Sequence, residues 1–453
     1  MDSEFLTKTF VRSKHLLDFD LDGKRVLCSN ITNAISIVDS DTKELLNCFK
    51  EPKYIKEVCK ENFKCKEAVK ELIKRGMIVE ENADELKILN ALIESVKKIG
   101  PYSFIFTVTL ACNFRCTYCY ENKHPVEMTW DVADRCIDFM VEKVKESKQK
   151  DVRIIFYGGE PLLKFDLIKK ILIESRKRLP SDVKISTGLI TNGSLLTENV
   201  AKFMKKFDCK YSQISLDGLR ELHDKRRPFT SGEGSFDAVV NGIKNAIENF
   251  DQLIIRVNVD KTNEKQIPEF LDWLKYNNMI KPSVRVYFGP VTATTKASER
   301  HSQFCIPNYE YGESLVKLTK LAQNKGIVSY FDLPKLLYCR AYIKRDVAFS
   351  PIGDILPCLQ RMEKEFVVGN VFSDPIYNEK AKKFYERSPL DLEKCRECPI
   401  VGFCGGGCVS EAYHKYKDIN TVSCPVFKYH FENLVKEYVK DRLSMKKEIY
   451  ERL

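Results

Sequence analysis

Cys112, Cys116 and Cys119 stand on one short loop with the spacing CxxxCxxC, directly after the apolar alternating stretch 104–109. Three thiolates so placed can hold three irons of a cubane cluster, which leaves the fourth iron open to a small chelating ligand. A four-thiolate site has no such opening. The alternative chemistry is a zinc knuckle, for which Cys116, Cys119 and His124 make a start. A closed zinc site needs a fourth ligand, however, and Thr129 occupies the position where one is expected.

A second constellation lies toward the C-terminus. Cys339 is followed by Gly353 and Cys358, then by Cys395, Cys398, Cys404, Cys408 and Cys424, with Gly405, Gly406 and Gly407 among them. Spacing alone suits a treble-clef or ribbon zinc site as well as iron–sulfur clusters. The upstream cysteine loop makes a second iron–sulfur site the more coherent of the two. The other seven cysteines, Cys28, Cys48, Cys59, Cys65, Cys136, Cys209 and Cys305, read as small buried hydrophobes. Cys136 falls on the apolar face of a helix over 130–140.

With an aromatic Tyr118 inside it, the loop resembles the CxxxCxφC motif of the radical S-adenosylmethionine (SAM) enzymes. Gly158, Gly159, Glu160 and Pro161 look like the GGEP segment of that family. The resemblance implies that Gly159 and Glu160 receive the SAM amino group, since glycines admit a ligand close to the backbone and a carboxylate suits an ammonium. Residues 190–193 and 214–218 read as strand ends followed by polar turns, where parallel folds place their binding residues. His223, Asp224 and Arg227, followed by Gly232, Gly234, Ser235 and Phe236, are similar to the HDxxR and GxGSF stretches of the peptide-modifying branch. By that match Ser215 would contact the ribose and Arg227 the carboxylate of SAM, with Arg226 the competitor for the second role. Tyr118 is counted with the same cofactor-binding group.

The C-terminal set resembles a SPASM domain, a module for up to two auxiliary 4Fe-4S clusters. The resemblance implies one cluster on Cys395, Cys398, Cys404 and Cys424, and another on Cys339, Cys358 and Cys408. The second set is one ligand short. Cys305 completes it, or a residue of the N-terminal region does, or one iron stays open and takes a substrate thiolate, which metal coordination would deprotonate and fix. The expected cofactors are therefore SAM and three clusters, with a reducing partner such as flavodoxin or ferredoxin.

The elements that must position these residues are legible too. Strands at Phe104, Ile154, Lys184, Gln213, Ile254 and Val284 alternate with helical stretches, which predicts a parallel sheet of βα units. The fold class is α/β: a partial (β/α)6 radical SAM barrel, with an N-terminal winged-helix-like α+β domain and a C-terminal cysteine-rich domain. The expected boundaries are 1–95, 96–305 for the barrel, 306–430 for a linking helix over 310–325 and the SPASM part, and 431–453 for a terminal helix. In the first unit, strands are predicted over 16–28 and 34–38, helices over 55–59 and 65–75, and a strand over 77–79. Asp22 with Gly23 and residues 30–33 give turn signals, and Gly76 a helix stop. This unit resembles the leader-recognition element of maturases of ribosomally made peptides, which implies that an extended leader adds a strand to its edge. A plain extension packing on the barrel is the alternative.

At 453 residues and 43% hydrophobic, the chain can support two or three cored domains. Residues 1–15 contain no apolar signal core, and no window approaches a membrane span, so a cytoplasmic, reduced setting without a membrane partner is expected. The net charge of +10 comes from dispersed lysines. That argues against a nucleic-acid partner and suits an acidic peptide.

The function these readings imply is a radical SAM peptide maturase. A 5'-deoxyadenosyl radical would abstract hydrogen from a cysteine-containing precursor peptide, and a thioether crosslink would form. The alternatives are a carbon–carbon crosslink or epimerisation, formylglycine formation as in anaerobic sulfatase maturation, and a non-enzymatic iron–sulfur scaffold. Sulfatase-maturing enzymes commonly carry Asp after the cysteine matching Cys358, where this chain has Leu359. For acid or base the candidates are Asp217, Asp224, Tyr157 and His301, none with an identifiable partner.

Overall fold

The computed structural model describes residues 7–121, 123–329 and 339–450, with side chains up to Leu443. Its N-terminal part has strands β1 (Thr9–Arg12), β2 (Leu16–Leu21), β3 (Lys24–Ser29), β4 (Ile35–Val38), β5 (Lys53–Tyr54) and β6 (Ile78–Glu80). They form two sheets, ordered β5-β1-β6 and β2-β3-β4. The stretch expected as one strand over 16–28 is thus a hairpin, turning at Asp22 and Gly23, both at positive φ. Helices Ile55–Cys59 and Phe63–Lys74 lie as expected; β1 and helix Ser40–Cys48 were not foreseen.

Cys59 and Cys65 are a disulfide, contrary to their reading as separate buried hydrophobes. The first ends one helix and the second lies in the first turn of the next. The tight turn at Lys60 brings their Cα atoms to 5.3 Å, within bridging range. Cys48 is exposed, whereas Cys28, Cys136 and Cys209 are buried as expected.

The six predicted barrel strands are β7 (Tyr102–Thr109), β8 (Asp151–Gly158), β9 (Lys184–Thr191), β10 (Cys209–Ser215), β11 (Leu253–Val259) and β12 (Val284–Pro290). They are parallel neighbours in the order β12-β11-β10-β9-β8-β7. Runs such as Leu253, Ile254 and Ile255 are buried along β11, as strands covered on both faces require. The helix Trp130–Ser147 shows how the sequence builds one crossover. Thr129 caps it by accepting from Val132 N, and Ala133, Cys136, Ile137, Met140 and Val144 face the core at spacings of three and four. Thr129, the residue in the missing zinc-ligand position, thus has its own structural task.

The sheet does not stop at the barrel. Strands β13 (Asp346–Phe349), β14 (Asp354–Leu356) and β15 (Gly369–Asn370) extend it beyond β7, with β13 parallel to β7. Cys339 and Cys358 flank β13 and β14, so the thiol-rich region is registered through the sheet to the strand that carries the cysteine loop. The expected linking helix is Asn308–Asn324, and the terminal helix is Phe431–Tyr450; residues 451–453 of that prediction lie outside the described residues. Phe19, Leu21, Val26 and Cys28 pack with Phe403, Phe431, Leu434 and Val435, so the β2-β3-β4 sheet is seated on the thiol-rich part. Among the described residues no helix is long and apolar enough to cross a membrane.

Candidate active site

The cysteine loop leaves the C-terminal end of β7 and is pinned to the segment that follows helix Arg220–Arg226. Arg115 N donates to Pro228 O at 2.8 Å, Thr117 N to Arg226 O at 2.9 Å and Thr230 N to Asn113 O at 2.8 Å. Phe114 is fully buried, edge-on to Phe229 with ring centroids 4.9 Å apart. Gly159 lets the next strand end come in close, because a Cβ there would lie 2.3 Å from Ala111 O.

Cys112, Cys116 and Cys119 line a cavity of about 520 Å³ over the C-terminal strand ends. Gly158, Gly159, Thr191, Asn192, Gln213, Ser215, Arg227, Arg256 and Asn258 also face it. Burial pushes the Cys112 thiol up to about 11 and the Cys119 thiol to about 12. A metal bound there must displace the thiol protons and supply the missing positive charge. The three sulfurs on one rigid loop suit an iron–sulfur cluster.

Arg226 and Arg227, which the sequence left in competition, part at the end of their helix. Arg226 Nη1 donates to Asp260 Oδ1 and Oδ2 at 2.7 and 2.8 Å, and its Nη2 to Asn258 O at 2.7 Å. Arg227 lines the cavity, donates from Nη1 to Tyr118 Oη at 2.8 Å, and has a buried Nε without a partner among the described residues. Arg227 thus brings a cationic side chain to the cavity wall, the partner a carboxylate group of a cofactor needs. Ser215 also faces the cavity.

Glu160 lies behind the wall instead of on it. It is wholly buried, with Oε1 accepting from Thr191 Oγ1 and Leu162 N at 2.7 and 3.0 Å and Oε2 from Asn192 N at 2.7 Å. Burial pushes its carboxyl up, and those three donors pull the other way.

The acid and base candidates now have partners. Asp217 accepts from Tyr118 Oη at 2.5 Å and from Asn258 N at 2.9 Å; burial pushes its carboxyl up, but Arg226 and Arg227 outweigh that and hold it down. Asp224 Oδ1 accepts from Ser235 N and Phe236 N at 2.8 Å, which satisfies the start of helix Phe236–Asn249. His223 is buried between Asp217 N and Ser235 Oγ, and Ser235 Oγ donates to Arg227 O at 2.6 Å. The stretch from His223 to Phe236 is therefore a clamp that fixes Arg227. His301 binds Asp260 at 2.8 Å. Of the four candidates only Tyr157 lines the cavity, hydrogen-bonded to Tyr120.

The sequence reading missed Glu121, Gln213, Arg256 and Asn258, all on the cavity wall. Burial pushes the Glu121 carboxyl up to about 7. Its position two residues after Cys119 was the one available signal.

The C-terminal thiols form two groups. Cys395, Cys398, Cys404 and Cys424 line one hollow with Gly406 and Gly407. Gly407 is needed there, since its φ is +80 and a Cβ would lie 1.9 Å from Ser423 O. Cys408 stands close to Cys339 and Cys358, whose charges act on it. Burial pushes Cys358 and Cys404 up to about 12, again favouring a metal that displaces protons. Cys305 sits elsewhere: its Sγ contacts His301 O at 3.7 Å, and the charges nearest it are those of Asp260 and Lys261. Cys408, Leu359, Gln360 and Glu411 line the same cavity as the cysteine loop.

The sequence pattern of the radical SAM superfamily matches residues 106–274. An uncharacterized protein of Methanocaldococcus jannaschii is 36% identical over 279 residues, covering 60% of this chain and 89% of its own. The chain belongs to the radical SAM superfamily. Along nearly its whole length it is also similar to the radical SAM cyclopropyl synthase TigE of Paramaledivibacter caminithermalis, at 22% identity over 90% of this chain and 92% of that one. The structure of Streptococcus suis SuiB bound to precursor peptide SuiA shares the fold, with a TM-score of 0.54 at 16% identity over 92% of this chain and 99% of that one. This radical SAM enzyme therefore uses SAM and a 4Fe-4S cluster, and its cysteine-rich C-terminal part fits a SPASM domain.

Proposed function

We propose that this enzyme is a peptide maturase that joins a cysteine sulfur of a precursor peptide to an unactivated carbon of the same peptide. The single observation that carries the reading is that Cys408, from the three-thiol group, and Cys112, Cys116 and Cys119 line one cavity. A peptide held there meets both thiol groups at once.

Cys112, Cys116 and Cys119 would hold the SAM-binding cluster, and Arg227, Ser215, Gly159, Glu160 and Tyr118 would orient SAM. Cys395, Cys398, Cys404 and Cys424 would hold one auxiliary cluster; Cys339, Cys358 and Cys408 would hold the other and leave one position for a substrate thiolate. When bound, SAM and its reduced cluster supply a 5'-deoxyadenosyl radical, and the auxiliary clusters supply one-electron redox capacity. The chain's own residues do the rest: the clamp on Arg227 orients, and Leu359 presents an apolar side chain where formylglycine formation would be served by a carboxylate. That last feature favours the thioether over the sulfatase-maturing reading.

The N-terminal unit would take the leader. The outer edge of β4 pairs with no strand among the described residues, and Ile37 on it is exposed. An extended peptide can add there by main-chain hydrogen bonds. The relative with a bound precursor peptide has a matching extent of chain, which supports the same reading.

The test is anaerobic turnover of the reconstituted, dithionite-reduced enzyme with any short cysteine-containing peptide encoded beside its gene. The expected product has lost two hydrogens and no longer reacts with iodoacetamide. A product that keeps its thiol points to a carbon–carbon bond or an epimer, and an aldehyde to formylglycine.

A further inference from the structure

The cavity holds a second arginine that the SAM-binding role does not use. Arg256, on β11, faces it and makes no ion pair among the described residues. Its guanidinium is nonetheless held in one orientation. Nε donates to Asn258 Oδ1 at 2.7 Å, and the group lies 5.1 Å from the centre of the Tyr287 ring. It also lies flat against the β12 backbone at Gly289, where an added Cβ would be 2.7 Å from Nη2. Anchoring through Nε leaves the Nη1 and Nη2 fork without an acceptor among the described residues. A planar fork of this kind matches the two oxygens of a carboxylate.

A second donor stands beside it without a partner. Tyr311, from helix Asn308–Asn324, is fully buried and lines the same cavity, and its phenol oxygen has no hydrogen-bond partner among the described residues. Both residues line the one cavity, and the charge of Arg256 reaches the phenol, as those of Tyr287 and Glu264 do. Buried polar groups left unpaired cost stability unless a ligand satisfies them. SAM has one carboxylate, and Arg227 with its orphaned Nε stands ready for it beside the cysteine loop.

We infer that Arg256 and Tyr311 form a subsite for a carboxylate of the substrate, so that the enzyme selects peptides with an acidic group close to the modified residue. The inference rests on the peptide reading above. Asn258 ties the subsite to the reaction centre, since its Nδ2 also donates to Tyr118 Oη at 3.1 Å. The carboxylate comes from an Asp or Glu side chain or from the peptide's own C-terminus.

The test uses the full-length, anaerobically reconstituted enzyme with SAM and no reductant, and two synthetic pools of randomised cysteine-containing peptides. One pool ends in a free carboxylate and the other in an amide; bound peptides are separated by ultrafiltration and read by mass spectrometry. Wild type is expected to enrich Asp and Glu near the cysteine in the amide pool if a side chain is recognised. It is expected to favour the free-carboxylate pool if the terminus is. Arg256→Gln and the milder Tyr311→Phe should reduce that preference by about tenfold or more, with SAM binding by equilibrium dialysis unchanged. An unchanged preference in both variants overturns the subsite but leaves the peptide reading standing. Loss of SAM binding in Arg256→Gln also overturns it, by assigning the arginine to the cofactor. Capture of no peptide by wild type overturns the peptide reading and the subsite with it.

Discussion

Arg226 and Arg227 are consecutive residues that face opposite sides of the cavity wall: Arg226 reaches Asp260 at 2.7 Å behind it, and Arg227 reaches Tyr118 at 2.8 Å on it. Arg226 is the last residue of its helix, and Arg227, at φ −133, has already left it. The helix end turns one side chain into a structural ion pair and leaves the other on the cavity wall.

Arg226→Gln should therefore lower stability, by roughly 3–5 kcal/mol, because it strands the buried Asp260 and Asp217 carboxylates. Arg227→Gln should leave the fold intact and weaken SAM binding by about tenfold or more, the scale of a lost charged hydrogen bond. Urea unfolding and equilibrium dialysis of the two variants separate the roles. A variant at 227 that bound SAM normally would remove it from the cofactor site.

Cys408→Ala should cost the reconstituted enzyme about four of about twelve irons per chain, the content of three cubanes. Cys305→Ala should lose none, because Cys305 Sγ lies against His301 O, and His301 in turn binds Asp260. Iron and sulfide analysis of both proteins checks this. Iron loss from the Cys305 variant would mean that this thiol closes the three-thiol site.

Gly407→Ala places a Cβ 1.9 Å from Ser423 O at a φ of +80. The strain is on the order of 1–3 kcal/mol and falls where the chain closes on Cys408 and Cys424. Lower thermal stability and reduced iron content should appear together. Gly232→Ala, at positive φ but with nothing near its Cβ, is the control and should retain its iron.

His223 is held neutral by burial, its value lowered to about 3 against 6.5 for a free histidine. The unfolded chain therefore takes up this proton first. The contribution is fully present above about pH 6.5 and is lost progressively as pH falls toward 3, at up to ~1.4 kcal/mol per unit. His223→Gln should flatten that part of the profile, as measured by urea midpoints from about pH 7 to about pH 4. An unchanged slope would assign the acid sensitivity to other groups.

The parts of the site that depend on short stretches of chain were legible in advance. The spacing of Cys112, Cys116 and Cys119, and the alternation that makes β7 through β12, are set within a few residues of each other. The resemblance also implied a division of the seven C-terminal cysteines into a four and a three, and the structure puts Cys395, Cys398, Cys404 and Cys424 around one hollow. The disulfide of Cys59 and Cys65 was not legible, because a pairing six residues apart depends on how two helix ends turn.

By itself the sequence determined the chemistry that this protein can carry: the radical SAM cysteine spacing, which strands form the sheet, and which loop follows which strand. Only the tertiary structure decided which side chains face one another across the cavity. Arg256 and Tyr311 come from a strand and a distant helix, and Leu359 and Cys408 line the cavity of the cysteine loop from a region that β13 joins to β7. Such neighbours are set by long-range packing and by the direction a side chain takes at a helix end, and local spacing encodes neither.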